Sequence, residues 1–168
     1  MEEHRTGSGP TVSALIGKAL WGWARATNML MFQFGNRRTI SGTRGKETQV
    51  GELALHVQCR WRIATNELVL VGSRDINYPA EYSEGDEIPE GFDWDRAATR
   101  LDKLIASLFL EHTFIVQDVK LARAGSLSAT IGENLYLDLF PDDSLPSEQW
   151  RLFEPGRHQP HHVMAGRA

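Results

Sequence analysis

His56 and Cys59 are the first residues in the chain whose types invite a catalytic reading, because an imidazole can take the proton of a thiol nucleophile. They lie in GELALHVQCRWRI, residues 51–63. From Leu53 this stretch alternates. Leu53, Leu55, Val57, Cys59, Trp61 and Ile63 fall on one side, and Ala54, His56, Gln58, Arg60 and Arg62 on the other. Successive side chains of a strand point to opposite faces, so a continuous strand separates His56 from Cys59 unless a bulge intervenes. Cys59 then reads as a small core residue. His56, Gln58, Arg60 and Arg62 form a polar face that can meet either a ligand or water, as half-exposed antiparallel sheets do.

Three other groups could carry chemistry. His158, His161 and His162 form an HxxHH cluster, but a metal site needs convergent imidazoles held by a rigid second shell, and a terminal segment seldom supplies one. No metal or cofactor is expected. Gly45-Lys46 fails as a phosphate loop: Ile40 stands where the first glycine is required, and Glu47 where Ser or Thr must follow the lysine. The loop around it, with Arg37, Arg38, Arg44 and Lys46, reads as a solvated connection. The segment from Arg74 to Asp95 holds Asp75, Glu81, Glu84, Asp86, Glu87, Glu90, Asp93 and Asp95 against one base, Arg74. A field of one sign steers an oppositely charged partner. Tyr78, Tyr82, Phe92 and Trp94 are interspersed, and interface hot spots favour aromatic anchors. The plainer alternative is a solvated acidic loop pinned to the core by those aromatics.

The elements that must position these groups read mainly as strands. With 168 residues, 41% hydrophobic and 24% charged, the chain suits a single folded domain with one core. A net charge of -4 argues against a nucleic-acid binder that works by overall basicity. One cysteine excludes an internal disulfide and fits a cytoplasmic setting. The opening MEEHRTGSGP is unlike a secretory signal, and no apolar run is long enough for a membrane span. Residues 1–11 read as a flexible tail and 12–166 as one domain. Within it, a first β half covers 15–73, an acidic loop 74–93, a helix 94–112 capped by Asp93 or Asp95, and a second β half 113–155. Residues 12–27 fit helix or strand. The halves share a unit: MLMFQFG, GELALHV and WRI in one, SLSATIG, ENLYLDLF and WRLF in the other. Either the chain contains a duplication, or two alternating sheet halves simply look alike.

MLMFQFG, the HVQCRWR core with its following VGSRD, and FPDDS with WRLFEPG resemble an uncharacterised family of bacterial proteins over Leu15–Gly156. The family supplies no activity and no catalytic residue. Its strand-turn-strand units ending in Trp-Arg are more loosely similar to immunity factors encoded beside polymorphic toxins. The expectation is therefore an α+β fold, mainly one antiparallel sheet of six to eight strands with the helix packed on it. The function expected is a non-catalytic, cytoplasmic protein-binding protein, in the specific form of an immunity factor that neutralises a basic partner. Tyr78, Glu81, Tyr82, Glu84, Asp86 and Glu87 would make the contact, with His56, Gln58, Arg60 and Arg62 as the alternative face. The competing reading is a small-molecule binder or enzyme with a pocket between sheet and helix.

Overall fold

The alternation of residues 53–63 survives in three dimensions, but not as one strand. The structure, a computed structural model, describes residues 9–166, so most of the segment read as a tail lies outside the described residues. The chain forms Leu53–Val57 and Arg60–Ala64 as separate strands in separate sheets. Leu53, Leu55, Val57, Cys59, Trp61 and Ile63 are nevertheless all buried. Both strands bury their apolar side in the same core because the sheets face each other. The chain bends from one sheet to the other at Gln58–Cys59, as strands do at the corners of packed sheets. The buried Gln149 seals the bend, its carbonyl accepting the N–H groups of Gln58 and Cys59, each at 2.9 Å.

The fold is α+β and mostly antiparallel sheet with one main helix. Its strands are β1 (Ala19–Ala26), β2 (Met29–Phe34), β3 (Arg38–Ser41), β4 (Glu47–Val50), β5 (Leu53–Val57), β6 (Arg60–Ala64) and β7 (Val69–Gly72). Helix α1 (Arg100–Glu111) follows, then β8 (Phe114–Ile115), β9 (Asp118–Leu121), β10 (Leu127–Gly132), β11 (Leu135–Phe140), β12 (Glu148–Phe153) and β13 (His162–Ala165). One sheet runs β13-β12-β5-β2-β1-β8 and the other β7-β6-β11-β10-β9. The expected single sheet is thus two. The basic loop read as a solvated connection contains the short hairpin β3–β4, and residues 19–26 of the segment 12–27 that fitted helix or strand are strand.

The two sheets share one plan. Exchanging β1, β2, β5, β6 and β7 for β9, β10, β11, β12 and β13 converts one strand order into the other. Each half builds three strands of one sheet and then sends two into the opposite sheet. The registers agree as well. Trp61 and Arg62 stand opposite Leu139 and Asp138, while Trp150 and Arg151 stand opposite Val57 and His56. On the far side, Asp138 faces Ser128 and His56 faces Met31. The Trp-Arg repeat therefore marks one position used twice, with tryptophan inward and arginine outward.

The helix begins six residues later than its sequence pattern indicates. Asp93 closes a separate turn, its carboxylate accepting the N–H groups of Asp95 and Arg96 at 3.1 Å. Thr99 is the true cap. Its hydroxyl accepts the Asp102 N–H while the Asp102 carboxylate accepts the Thr99 N–H at 2.8 Å, a reciprocal capping box. Leu101, Ile105 and Leu108 then recur on one face and are buried, packing the helix against β7 and the turn Ser73–Asn77.

Trp61 is buried edge-on to Phe32 of the opposing sheet, with ring centroids 6.0 Å apart. Truncating such a side chain costs its transfer energy and leaves a cavity, so Trp61→Ala should lower stability by about 3–5 kcal/mol in urea titration. A loss under about 1 kcal/mol would mean that this ring does not join the two sheets.

Candidate functional site

The acidic segment is a strap held against the start of the helix. It leaves β7 through the turn Ser73–Asn77, where the Asp75 carboxylate accepts the Gly72 N–H at 2.8 Å and faces Arg100 at 3.3 Å. Tyr78 and Ala80 then bond the chain entering the helix: the Arg100 N–H donates to the Tyr78 carbonyl at 2.8 Å, and the Ala80 N–H to Ala98 at 3.2 Å. Pro79 and Thr99 form an antiparallel bridge between these contacts. The Tyr78 and Tyr82 rings lie 4.8 Å apart, and Phe92 and Trp94 meet at 4.6 Å.

Asp102 ties this strap to the six-stranded sheet. Its two oxygens accept Nε and Nη2 of Arg25 on β1 at 2.8 and 2.9 Å, while one of them also holds the buried Thr99 through its N–H and hydroxyl. Burial pushes the Asp102 carboxyl up, but the hydrogen bonds from Arg25 and Thr99 and the Arg25 charge outweigh it and leave it below its ordinary value. The hydrogen bond to Asp102 raises Arg25 in turn, against its own burial.

Seven of the eight carboxylates divide by three roles, while the eighth, Asp95, acts on Arg25 by its charge. Asp75 and Glu81 are paired with Arg100 and Lys103, the latter at 2.8 Å. Asp86 caps Ser83, and Asp93 caps the turn before the helix. Among the described residues, Glu84, Glu87 and Glu90 have no cationic partner, and all three are exposed. The helix start places Arg100 and Lys103 beside the strap, so its field is weaker than its own composition indicates. Ile88 and Trp94 stand 41% and 38% exposed among these acids.

The alternative face does not form one surface. Arg60 and Arg62 lie on the outside of the five-stranded sheet, paired with Asp142 at 2.6 Å and Asp138 at 2.9 Å. Gln58, at the bend, donates to Glu148 at 3.1 Å. His56 lies on the outside of the six-stranded sheet, 3.2 Å from Arg151 Nη2 and edge-on to Phe153 at 4.7 Å. Burial, then Arg151 and His161, lowers its pKa from 6.5 to about 4, so the ring is neutral at pH 7. Sequence reasoning overlooked Arg151, Arg25 and Asp102. Only the repeated Trp-Arg could have pointed to the first.

The C-terminal histidines do not converge among the described residues: His161, just before β13, stacks on Phe153 at 4.6 Å, and His162, within it, on Trp150 at 5.3 Å. Among the described residues no three metal-ligating side chains cluster, and no helix is long and apolar enough to cross a membrane. A hollow of about 440 Å³, open to solvent, lies between β1 and the helix start, lined by Trp23–Arg25, residues 95–98 and Asp102. A second, of about 510 Å³, opens between Leu70, His112 and the β10–β11 turn. No family model matches the chain, and neither curated proteins nor solved structures give a match.

Cys59 is buried, and that burial pushes its thiol up to about 11. A thiol held protonated is a poor nucleophile. Under native conditions at pH 7.5, labelling by a thiol reagent should be at least about a hundredfold slower than in denaturant. Native labelling at the unfolded rate would place Cys59 at the surface and revive its pairing with a base.

Proposed function

We propose that the chain is a non-catalytic binding protein that recognises a basic protein surface through the strap of residues 74–95. One observation carries the reading: three glutamates without a cationic partner among the described residues and two exposed apolar side chains are presented on a segment whose two ends are tied together, the Arg100 N–H bonding the Tyr78 carbonyl and the Ala80 N–H that of Ala98. A surface already in one conformation loses less entropy on binding than a mobile loop would. The carboxylates supply attraction at a distance, while Trp94 and Ile88 supply area that can be desolvated on contact. Tyr78 and Tyr82 meet ring to ring within the strap, Glu81 pairs with Lys103 and Asp86 caps Ser83.

A cytoplasmic immunity factor acting on a basic toxin is the specific form that the looser sequence resemblance favours. The small-molecule reading has less support. The hollow between sheet and helix is shallow, and its one prominent charged pair, Arg25 with Asp102, is already satisfied on both sides.

The test uses a partner recovered by co-purification. Replacing Glu84, Glu87 and Glu90 by Gln should slow association roughly tenfold at low salt and flatten its salt dependence, with dissociation changed less. Stability should stay within about 0.5 kcal/mol per substitution. Association indifferent to all three changes at every salt concentration would reduce the strap to a connector.

A further inference from the structure

Ion pairing leaves a remainder in two places. Nine of the described lysines and arginines meet a carboxylate. Four of the others, Arg37, Arg38, Arg44 and Lys46, fall within residues 37–46, a stretch that holds no acid. The acids show the converse. Glu84, Asp86, Glu87, Glu90, Asp93 and Asp95 meet no cation at ion-pair distance, and they fall within residues 84–95, a stretch that holds no base.

The two remainders are held at opposite ends of β1. At its start the Arg37 guanidinium lies over the Trp21 ring, 4.2 Å from the centroid, and the Trp21 indole N–H donates to the Gly35 carbonyl at 2.8 Å. Arg38 donates to the Pro155 carbonyl, and the hairpin β3–β4 ends in an exposed tip at residues 42–46. Near the other end of β1, Arg25 holds Asp102 and, through Thr99, the strap. A strand rises about 3.3 Å per residue, so roughly 13 Å of β1 separates Trp21 from Arg25. Among the described residues no hydrogen bond or ion pair joins hairpin to strap within the chain. The hairpin forms a sheet of its own, so neither segment completes the two main sheets.

We propose that the β3–β4 hairpin of one copy docks on the acidic strap of a second copy. The inference rests on the strap's role as a surface for a basic protein, and it names that protein as this chain. Since the two charges sit at opposite ends of one strand, a two-fold axis across β1 sets each hairpin beside the other copy's strap. Both contacts then form together, and the assembly closes at two copies. Ile88 and Trp94, exposed within the strap, give the aliphatic stems of Arg44 and Lys46 an apolar surface to cover. A basic two-stranded ribbon also suits a nucleic-acid groove, but a chain of net charge -4 with an acidic strap repels a polyanion.

Sedimentation velocity of the full chain tests this. At about 50 mM salt the chain should run as a pair, and the dissociation constant should rise at least about tenfold by about 300 mM. Glu84→Lys, Glu87→Lys and Glu90→Lys together should leave single copies, and so should Arg44→Glu with Lys46→Glu, each variant checked for folding by circular dichroism. An equal mixture of the two variants should pair again, because the hairpin of one is native and so is the strap of the other. Single wild-type copies at low salt, association indifferent to salt, or a mixture that stays apart overturns the proposal. Retention of the wild type on duplex DNA, lost in Arg44→Glu with Lys46→Glu, assigns the hairpin to a polyanion and overturns it too. If self-association fails while Glu84→Gln, Glu87→Gln and Glu90→Gln still weaken binding of a co-purified partner, the second-copy inference alone falls. Indifference of that partner removes the reading of the strap itself.

Discussion

One carboxylate, Asp102, stands where three parts of the molecule meet. It holds Arg25 of the sheet through two parallel hydrogen bonds, caps its own helix through Thr99, and so fixes the residue at which the strap crosses the helix start. Its side chain and that of Arg25 are 19% and 11% exposed. A pair so sheltered is costly to leave half-made, since removing one partner strands the other charge in a poorly solvated place. The node thus pins the two ends of the acidic strap, Tyr78–Ala80 against residues 98–100.

The rest of the architecture comes from one plan used twice. Strands that begin in one sheet finish in the other, so each half covers the apolar face of its counterpart, and the paired tryptophans Trp61 and Trp150 both end inside. Around the Trp-Arg positions the registers correspond, which makes the outer faces there comparable position by position. Where they diverge, as Asp138 does from His56, the difference lies in charge rather than in backbone. The β3–β4 hairpin and the strap with its helix are additions to the first half without counterparts among the described residues.

Much of the fold was legible because burial follows alternation. The period of residues 53–63 named the six apolar-side residues that are buried, though not Ala54, which is buried on the other side. The shared units of the two halves correspond to the repeated plan but gave no sign that the Trp-Arg strands cross into the opposite sheet. The second sheet was not legible. A strand that bends from one sheet to another around a common core keeps the same alternation as a straight one, so nothing in GELALHVQCRWRI marks Gln58–Cys59 as a corner. The late start of the helix escaped for a similar reason: Asp93, Asp95 and Thr99 are all good caps, and the bridge to Pro79 that selects Thr99 is long-range. At the candidate site, composition exposed the acids but not their partners. Arg100 and Lys103 neutralise two of them from outside the segment.

The pinning of the strap ends through Arg25, Asp102 and Thr99 is measured most directly by a double-mutant cycle with Arg25→Gln and Asp102→Asn. Unfolding in urea should give a coupling of roughly 1–3 kcal/mol, and hydrogen exchange across residues 74–95 should speed up in the Asp102→Asn chain. A coupling below about 0.5 kcal/mol, with exchange in the strap unchanged, would show that the two side chains act independently and that the acidic surface does not depend on them.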